Sequence, residues 1–378
     1  MSGNLFERLL KRLGLRLLRS WAPARGPAPT TADLEKVERI LVVKPDERIG
    51  NAILVTSLLV ALKGRFSRAH QVCLLSRRYG ALREHLPSTD EFILFDKHAA
   101  ARSPLRFLAV IRRLRAMRFD LVFDAAGDHT VSFTHLALAA LSGGRFRIGH
   151  ARGAAGQFYE VAVPVPEGAR HASETHLDLL RAITPVRSST RPLLRPAPDS
   201  GFAVGFRSEH GIDESRPLVV IHPGARGPKQ WPPESFAQVA RHLKDRRDIT
   251  IACVWGPADR EAAEAMCAAA PDAVIPAGIL SFDDLISLVR DAAVFLSADC
   301  GPMHLAAAAG TPVVAVFQAS ELAKYHTLGP FDRALDGRSQ PLSTDTVVDA
   351  VLDVMDRSVS SSERITRPPT RETTGRTG

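Results

Sequence analysis

Aromatic residues are scarce in this chain, 6% of 378 residues, with three Trp and three Tyr. Surfaces that bind nucleic acid interleave aromatic and basic side chains, and no segment here does so. A nucleic-acid binder is therefore disfavoured despite a formal net charge of +8. Cysteine is scarce as well. Cys73, Cys253, Cys267 and Cys300 are scattered, with no C-x-x-C pair and no metal-ligand spacing. That pattern predicts neither a metal site nor a disulfide framework, and it fits a reducing cytosol. No uninterrupted apolar run reaches the ~18 residues of a membrane-spanning helix.

What is present is unevenly placed. Residues 1–190 hold 29 Lys+Arg against 17 Asp+Glu, whereas residues 191–378 hold 20 against 24. The first half is expected to face something acidic: nucleic acid, an anionic membrane surface or a phosphorylated glycolipid. Residues 4–21, NLFERLLKRLGLRLLRSW, place Phe6, Leu9, Leu10, Leu13 and Leu17 at helical spacing among basic residues. Charges interrupt the apolar run, which argues against a signal peptide. Two readings stay open: a helix lying on an anionic leaflet, or one packed on the body of the protein.

Apolar runs alternate with helical patterns along the rest of the chain. Strands are expected at 40–44, 71–76, 91–96, 121–126 and 146–150, with helices at 51–64, 103–119 and 129–142. A second alternation places strands at 218–224, 249–256, 294–299 and 313–317. Its helices are expected at 233–247, 258–270, 282–292 and 302–309, with a last amphipathic helix over 345–359. Repeated strand–helix alternation predicts parallel sheets covered on both faces. The expected organisation is a basic N-terminal helix and Pro-rich connector (1–31), a first Rossmann-like domain (32–190) and a linker (191–216). A second Rossmann-like domain (217–359) and a disordered tail (360–378) follow. Open parallel sheets bind ligands at their carboxyl edges, so two facing sheets create an interdomain cleft.

Three strand–loop–helix junctions in the second half carry candidate chemistry. In SADCGPMHLAAAAGTPVVAVF (297–317), Asp299 ends a strand and Gly301-Pro302 begins a helix. The free N–H groups of such a helix start attract phosphate, and His304 adds a donor one turn in. Asp299 suits sugar hydroxyls. In HPGARGPKQWPPESF (222–236), Gly224 and Ala225 leave room for a diphosphate, and Lys229 supplies a point charge. In VWGPADREAAEAM (254–266), Glu261 suits a ribose diol. Each feature also has a plain structural explanation: a capped helix, a solvated lysine, an acid on a helix dipole.

Together these segments resemble glycosyltransferase family 9, the ADP-heptose:lipopolysaccharide heptosyltransferases. The resemblance covers about residues 38–320 and includes ILVVK…IGN, DLVFDAAG and RIGH in the first half. It implies a GT-B fold, two doubly wound domains facing a cleft. It also implies an inverting, metal-independent transfer from an ADP-sugar co-substrate with no resident cofactor. Lys229 and His304 match diphosphate contacts, Glu261 the ribose-binding acid, Asp299 the residue that holds the donor sugar, and Gly301 the helix-start glycine. Cys300 stands where the family has Ser or Thr, which weakens or removes a hydroxyl contact.

In the family, Gly-Asp at the end of the first loop supplies the base. Here the pair is Gly50-Asn51, and an amide is not a useful proton acceptor. Three explanations compete: Asp46 in the same loop takes over, Asp128 does, or the protein only binds. Asp46 is favoured because a loop tip reaches the cleft. Asp124 reads as structural. Some arginines of 102–118 read as a helix's wet face, whereas Arg145, Arg147, His150 and Arg152, read as a cluster after the fifth strand, are the candidates for an acidic lipid-linked acceptor. The expected activity is heptose transfer to a lipopolysaccharide-type acceptor at the cytoplasmic face of a membrane. The alternatives are a same-fold transferase using another nucleotide sugar and a non-catalytic glycolipid-binding or scaffold homologue.

Overall fold

The computed structural model describes residues 26–127, 132–165 and 167–366, together with Leu18, Ser20 and Ala22. Two six-stranded, all-parallel sheets organise it. The first contains β1 (Arg39–Lys44), β2 (His70–Ser76), β3 (Glu91–Phe95), β4 (Leu121–Asp124), β5 (Phe146–His150) and β6 (Val161–Val163), in the order β3-β2-β1-β4-β5-β6. The second contains β7 (Leu218–His222), β8 (Thr250–Val254), β9 (Ile275–Gly278), β10 (Val294–Ala298), β11 (Val313–Phe317) and β12 (Arg333–Asp336), in the order β12-β11-β10-β7-β8-β9. In each, the first strand pairs with the second on one side and the fourth on the other. The chain therefore reverses direction across the sheet between β1 and β4 and between β7 and β10. Ligands of doubly wound sheets sit outside such a switch point.

The central strands are apolar throughout because helices cover both faces. Ile40 to Val43 of β1 and Leu218 to Ile221 of β7 are all at 0% exposure. The first sheet is flanked by α1 (Thr31–Leu34), α2 (Ile49–Leu54), α3 (Thr56–Arg65), α4 (Lys97–Arg102), α5 (Pro104–Ala116), α6 (Phe133–Leu141) and α7 (Ala172–Arg181). The second is flanked by α8 (Phe202–Glu209), α9 (Pro233–Arg246), α10 (Arg260–Ala269), α11 (Phe282–Asp291), α12 (Gly301–Ala309), α13 (Leu322–Tyr325) and α14 (Thr344–Thr366).

The doubly wound expectation holds for both halves, with local corrections. Three strands escape the sequence pattern: β6, β9 and β12. All three are sheet edges, half covered and short, so none needs a sustained apolar run. The expected linker contains a helix, α8. It packs Phe206 into the second core and pairs Arg207 Nε with Asp291 Oδ2 at 2.7 Å. The last helix continues to Thr366 rather than ending at 359, and the Ser360 hydroxyl donates to the Asp356 carbonyl four residues back at 2.8 Å. Most of the basic N-terminal segment, and 367–378 of the expected tail, lie outside the described residues. Leu18 and Ala22 are buried against Leu136, Ala140 and Phe158.

The two domains meet through an apolar seam. Ile53, Tyr79 and Leu82 of the first pack with Ile286, Leu305 and Ala308 of the second, and Leu194 of the connecting segment joins them. The Leu194 amide donates to the Ala308 carbonyl at 3.0 Å, and the Arg195 amide to the His85 carbonyl at 2.7 Å. His85 Nε2 lies 2.5 Å from Asp283 Oδ1. At one end of the seam α2 and α12 touch backbone to backbone. A Cβ on Gly301 would lie 2.1 Å from the Ile49 methyl carbon Cγ2 and 3.3 Å from the Gly50 amide nitrogen. A Cβ on Gly50 would meet His304 Cδ2 at 2.9 Å.

This contact makes a stability prediction. Gly301→Ala overpacks the seam and is expected to cost roughly 1–3 kcal/mol in urea unfolding. Adding Ile49→Ala removes the opposing methyl group and should recover much of the loss. Equal costs with and without Ile49→Ala would show that the two groups do not touch.

Candidate functional site

Both switch points open toward this seam, so the carboxyl ends of β1 and β4 face those of β7 and β10. On the second-domain side, β10 hands over to α12. Cys300 is extended at the N-cap (φ −144°, ψ 171°), and its side chain makes no capping hydrogen bond. The first-turn amides are thus left for another acceptor, and Pro302, which has none, sits in that turn. The Lys229 ammonium group is 2.7 Å from Asp299 Oδ2, and Asp299 itself is 4% exposed. Lys229 also lies 5.7 Å from the centre of the Tyr325 ring. His304 is buried beside them. Burial lowers its pKa to about 4, against the opposing pull of Asp299, with His171, Lys229 and His326 adding to the depression. At neutral pH His304 is therefore an uncharged hydrogen-bonding group, and the positive charge here belongs to Lys229.

The β7 end contributes His222, whose Nδ1 is 3.7 Å from Cys300 Sγ and whose Nε2 is 3.7 Å from Asp259 Oδ2. Nε2 has no hydrogen-bond partner among the described residues. Burial lowers the His222 pKa. It also pushes the Cys300 thiol up to about 12, so Cys300 is not a thiolate at neutral pH.

On the first-domain side, a chain of charges, buried except for the 23% exposed Asp46, runs from the end of β1 to the end of β4. Lys44 is 1% exposed; it donates to the Ala125 carbonyl at 2.6 Å and approaches Asp46 Oδ2 at 3.1 Å. His176 Nε2, 3.2 Å from Lys44, accepts from it, which leaves Nδ1–H for the Leu54 carbonyl at 3.3 Å. His135 stands between two carboxylates, with Nε2 at 3.2 Å from Asp46 Oδ2 and Nδ1 at 3.2 Å from Asp124 Oδ1. Asp124 is also held by the Tyr159 hydroxyl at 2.6 Å and the Ala126 amide at 3.0 Å. Burial alone would lower His135, but Asp46 and Asp124 outweigh it and raise the imidazole to about 9. Burial alone would raise Asp46, but the charges of Lys44 and His135 hold it far below the usual carboxylate range. No well-aimed hydrogen bond reaches Asp46 Oδ2, so those contacts are charge–charge. Its other oxygen, Oδ1, accepts from the Asn51 amide at 3.1 Å.

Several expected residues fall together. Asp46 and Asn51 are hydrogen-bonded, and Lys229, Asp299, Gly301 and His304 share one pole of the cleft. Other expectations need correcting. The space beside Gly224 is filled by Asp259: a Cβ on Gly224 would meet the Asp259 carboxyl carbon at 2.4 Å. Ala225 packs into the core, so its side chain has no free room to offer. Gly301 gives its close approach to Ile49. Glu261 is exposed in the first turn of α10. Arg147 lies inside β5, 4% exposed, in a double contact with Glu160 (2.7 and 3.1 Å) and bonded to the Ala22 carbonyl, so it is a structural ion pair. Arg145 precedes β5, at the edge away from the cleft, and pairs with Asp33 at 2.6 Å. Of the three, Arg152 alone follows β5; it bonds the Gly127 carbonyl and lines a small depression with Asp124, Ser132, His150 and Tyr159. Asp128 lies outside the described residues.

The sequence signal missed Lys44, His135, His222, Asp259 and Tyr325. Lys44 and His222 end apolar strands, and a polar residue closing such a run was a usable cue. His135, inside the apolar helix FTHLALAAL, carried none beyond its isolation.

Residues 107–344, more than half of the chain, match the family described as glycosyltransferase family 9 (heptosyltransferase). Lipopolysaccharide heptosyltransferase 3 of Escherichia coli is 25% identical over 282 residues, 72% of this chain and 81% of that protein. Among solved structures, a family 9 glycosyltransferase from Veillonella parvula superposes with a TM-score of 0.74 at 21% identity, covering 85% of this chain and 97% of that one. The E. coli ADP-heptose lps heptosyltransferase II superposes at 0.67 and 19% identity, covering 85% and 99%.

The charge chain predicts an alkaline instability. His135 has an ordinary pKa of 6.5 when unfolded and about 9 when folded. Its stabilisation is therefore complete below 6.5 and is lost as pH rises through about 9. The urea midpoint should fall between pH 6.5 and about 9.5, and the fall should be shallower in His135→Gln. Parallel pH slopes for the two proteins would show that His135 does not carry that charge.

Proposed function

Because the chain belongs to glycosyltransferase family 9 and is thus a glycosyltransferase, we propose that it moves heptose, or a closely related sugar, from an ADP-sugar to a lipopolysaccharide-type acceptor with inversion. The ADP-sugar is a co-substrate, and the proposal involves no resident cofactor. One observation carries the assignment of roles: the Lys229–Asp299 pair at the uncapped start of α12 faces the Asp46–Asn51 pair across the Ile49–Gly50 turn.

The diphosphate is assigned to the first-turn amides of α12, with Lys229 swinging from Asp299 to the phosphate oxygens. Helix amides and one ammonium group then stabilise the charge that develops as ADP leaves, the role a metal ion plays elsewhere. Neutral His304 donates a hydrogen bond to the same oxygens. Asp299, released from Lys229, holds hydroxyls of the donor sugar, and Glu261 at the start of α10 is assigned the ribose. Peptide groups of the 224–229 loop replace the open space first expected there.

Asp46 is assigned the acceptor's proton. Asn51 occupies the place of the family's acid but turns its amide toward Asp46, so a carboxylate still stands at that point of the cleft. Lys44 and His135 keep Asp46 ionised at any working pH, which also makes it a weak base. Its contribution is accordingly placed near the lower end of the ~10²–10⁴-fold typical of positioned bases.

Two experiments test this. Lys229→Ala and His304→Ala should each lower ADP release from ADP-heptose by about 10²-fold or more while circular dichroism shows the fold retained. GDP- and UDP-sugars serve as competing donors, and preferential turnover of either would replace the ADP-sugar assignment. Asp46→Asn should lower kcat by roughly 10²-fold. The exchange variant Asp46→Asn/Asn51→Asp should regain part of that loss. Wild-type kcat in Asp46→Asn would remove Asp46 from the chemistry.

A further inference from the structure

Leu105 is 77% exposed and Leu108 42% exposed, both in the first two turns of α5. Buried Ile111 and Leu114 anchor the opposite face of that helix in the first core. Leu105, Leu108, Ala109 and Arg112 therefore share one outward face, with Arg106 and Arg113 along one flank and Arg115 along the other. Residues 97–118 contain seven Lys+Arg and no Asp or Glu. Two of these cations are engaged locally: Arg113 with Glu91 at 2.8 Å, and Arg115 with the Leu141 carbonyl at 2.9 Å.

We infer that the outward face of α5 docks on an anionic lipid bilayer, with Leu105 and Leu108 entering the headgroup–acyl boundary and the surrounding arginines resting on lipid phosphates. The chemistry selects this occupant. The leucines protrude from a convex helix rather than lining a groove, so they suit a deformable apolar layer better than a partner helix. An unbroken run of cations suits a surface of uniform negative charge.

The position of the patch gives it a purpose. β3 ends at the cleft edge of the first sheet and leads through the Asp96-capped α4 directly into α5. The six residues of α4 span only about 9 Å as a helix, so the first turns of α5 stay near that edge. His98 of α4 lies 3.2 Å from Glu47, the neighbour of Asp46. Docking through Leu105 would hold the first domain's acceptor loop beside the membrane surface. This use of the docking rests on the proposed lipid-linked acceptor; the docking itself does not.

The test is co-sedimentation of the full chain with phosphatidylcholine vesicles with and without about one-third phosphatidylglycerol, at low and high salt, with no donor or acceptor present. Salt-sensitive binding to the anionic vesicles alone is expected. Leu105→Asp/Leu108→Asp should weaken it by at least about tenfold, and Arg106→Ala/Arg112→Ala by roughly tenfold at low salt. Val204→Asp, at a 68% exposed site on α8, should leave it unchanged. Equal melting temperatures confirm that the variants fold. Wild-type partitioning in the leucine variant would assign membrane contact to the N-terminal segment and overturn the inference. So would an absence of binding to either vesicle. A transferase assay that failed would leave this partitioning untouched, so the two proposals fall separately.

Discussion

The close approach of α2 to α12 at Gly50 and Gly301 is the constraint on which the arrangement depends. Both helices start at switch-point strands, one in each domain, and both must bring backbone to within van der Waals reach. A side chain at either glycine would separate the two carboxyl edges. With both absent, Gly301 at the uncapped start of α12 packs against Ile49, which follows the Asp46 loop. The two carboxyl edges thereby line one cleft, and the apolar seam around Leu194 and Leu305 holds them in register.

Charge is distributed across that cleft by two different devices. On the second-domain side, a surface-reachable lysine is parked on a buried aspartate, an arrangement that an incoming anion can exchange. On the first-domain side, Lys44, Asp46, His135 and Asp124 alternate in sign within a buried chain, so each charge is compensated by its neighbours. Such a chain resists reorganisation. It fixes Asp46 in place while reducing its basicity, and an amide rather than an acid at position 51 suits that setting. A second carboxylate 3 Å from Asp46 would add a negative charge to a chain already balanced.

Much of the fold was legible in the sequence because central parallel strands must be apolar on both faces. β5 and β11 match their expected bounds, and the other expected strands differ only at their ends. The edge strands β6, β9 and β12 were not legible, since they are only three or four residues long and half exposed, whereas the fourth edge, β3, carries a longer apolar run. Helix α8 was hidden by Gly201 and Gly205, which break the helical period although the helix packs firmly on α11. The Gly301 helix start and the Lys229–Asp299 cluster were visible as strand–loop–helix junctions. What filled the space at Gly224, and which arginines face the cleft, was not.

The sequence alone determined the two doubly wound domains and the loops that meet at the cleft, because periodicity and junction residues are local properties of the chain, and the motifs at those junctions carried the resemblance to the family. Tertiary structure decided the rest. It made Arg147 half of an interior ion pair with Glu160, set Asp259 against Gly224, turned Asn51 toward Asp46, and placed His135 between two carboxylates from separate strand ends. Asp46 and Asn51 meet within one loop, but the other contacts depend on which distant segments lie within about 4 Å, where burial and charge decide protonation and partner. That distance is fixed by how the sheets twist and pack, and no spacing along the chain records it.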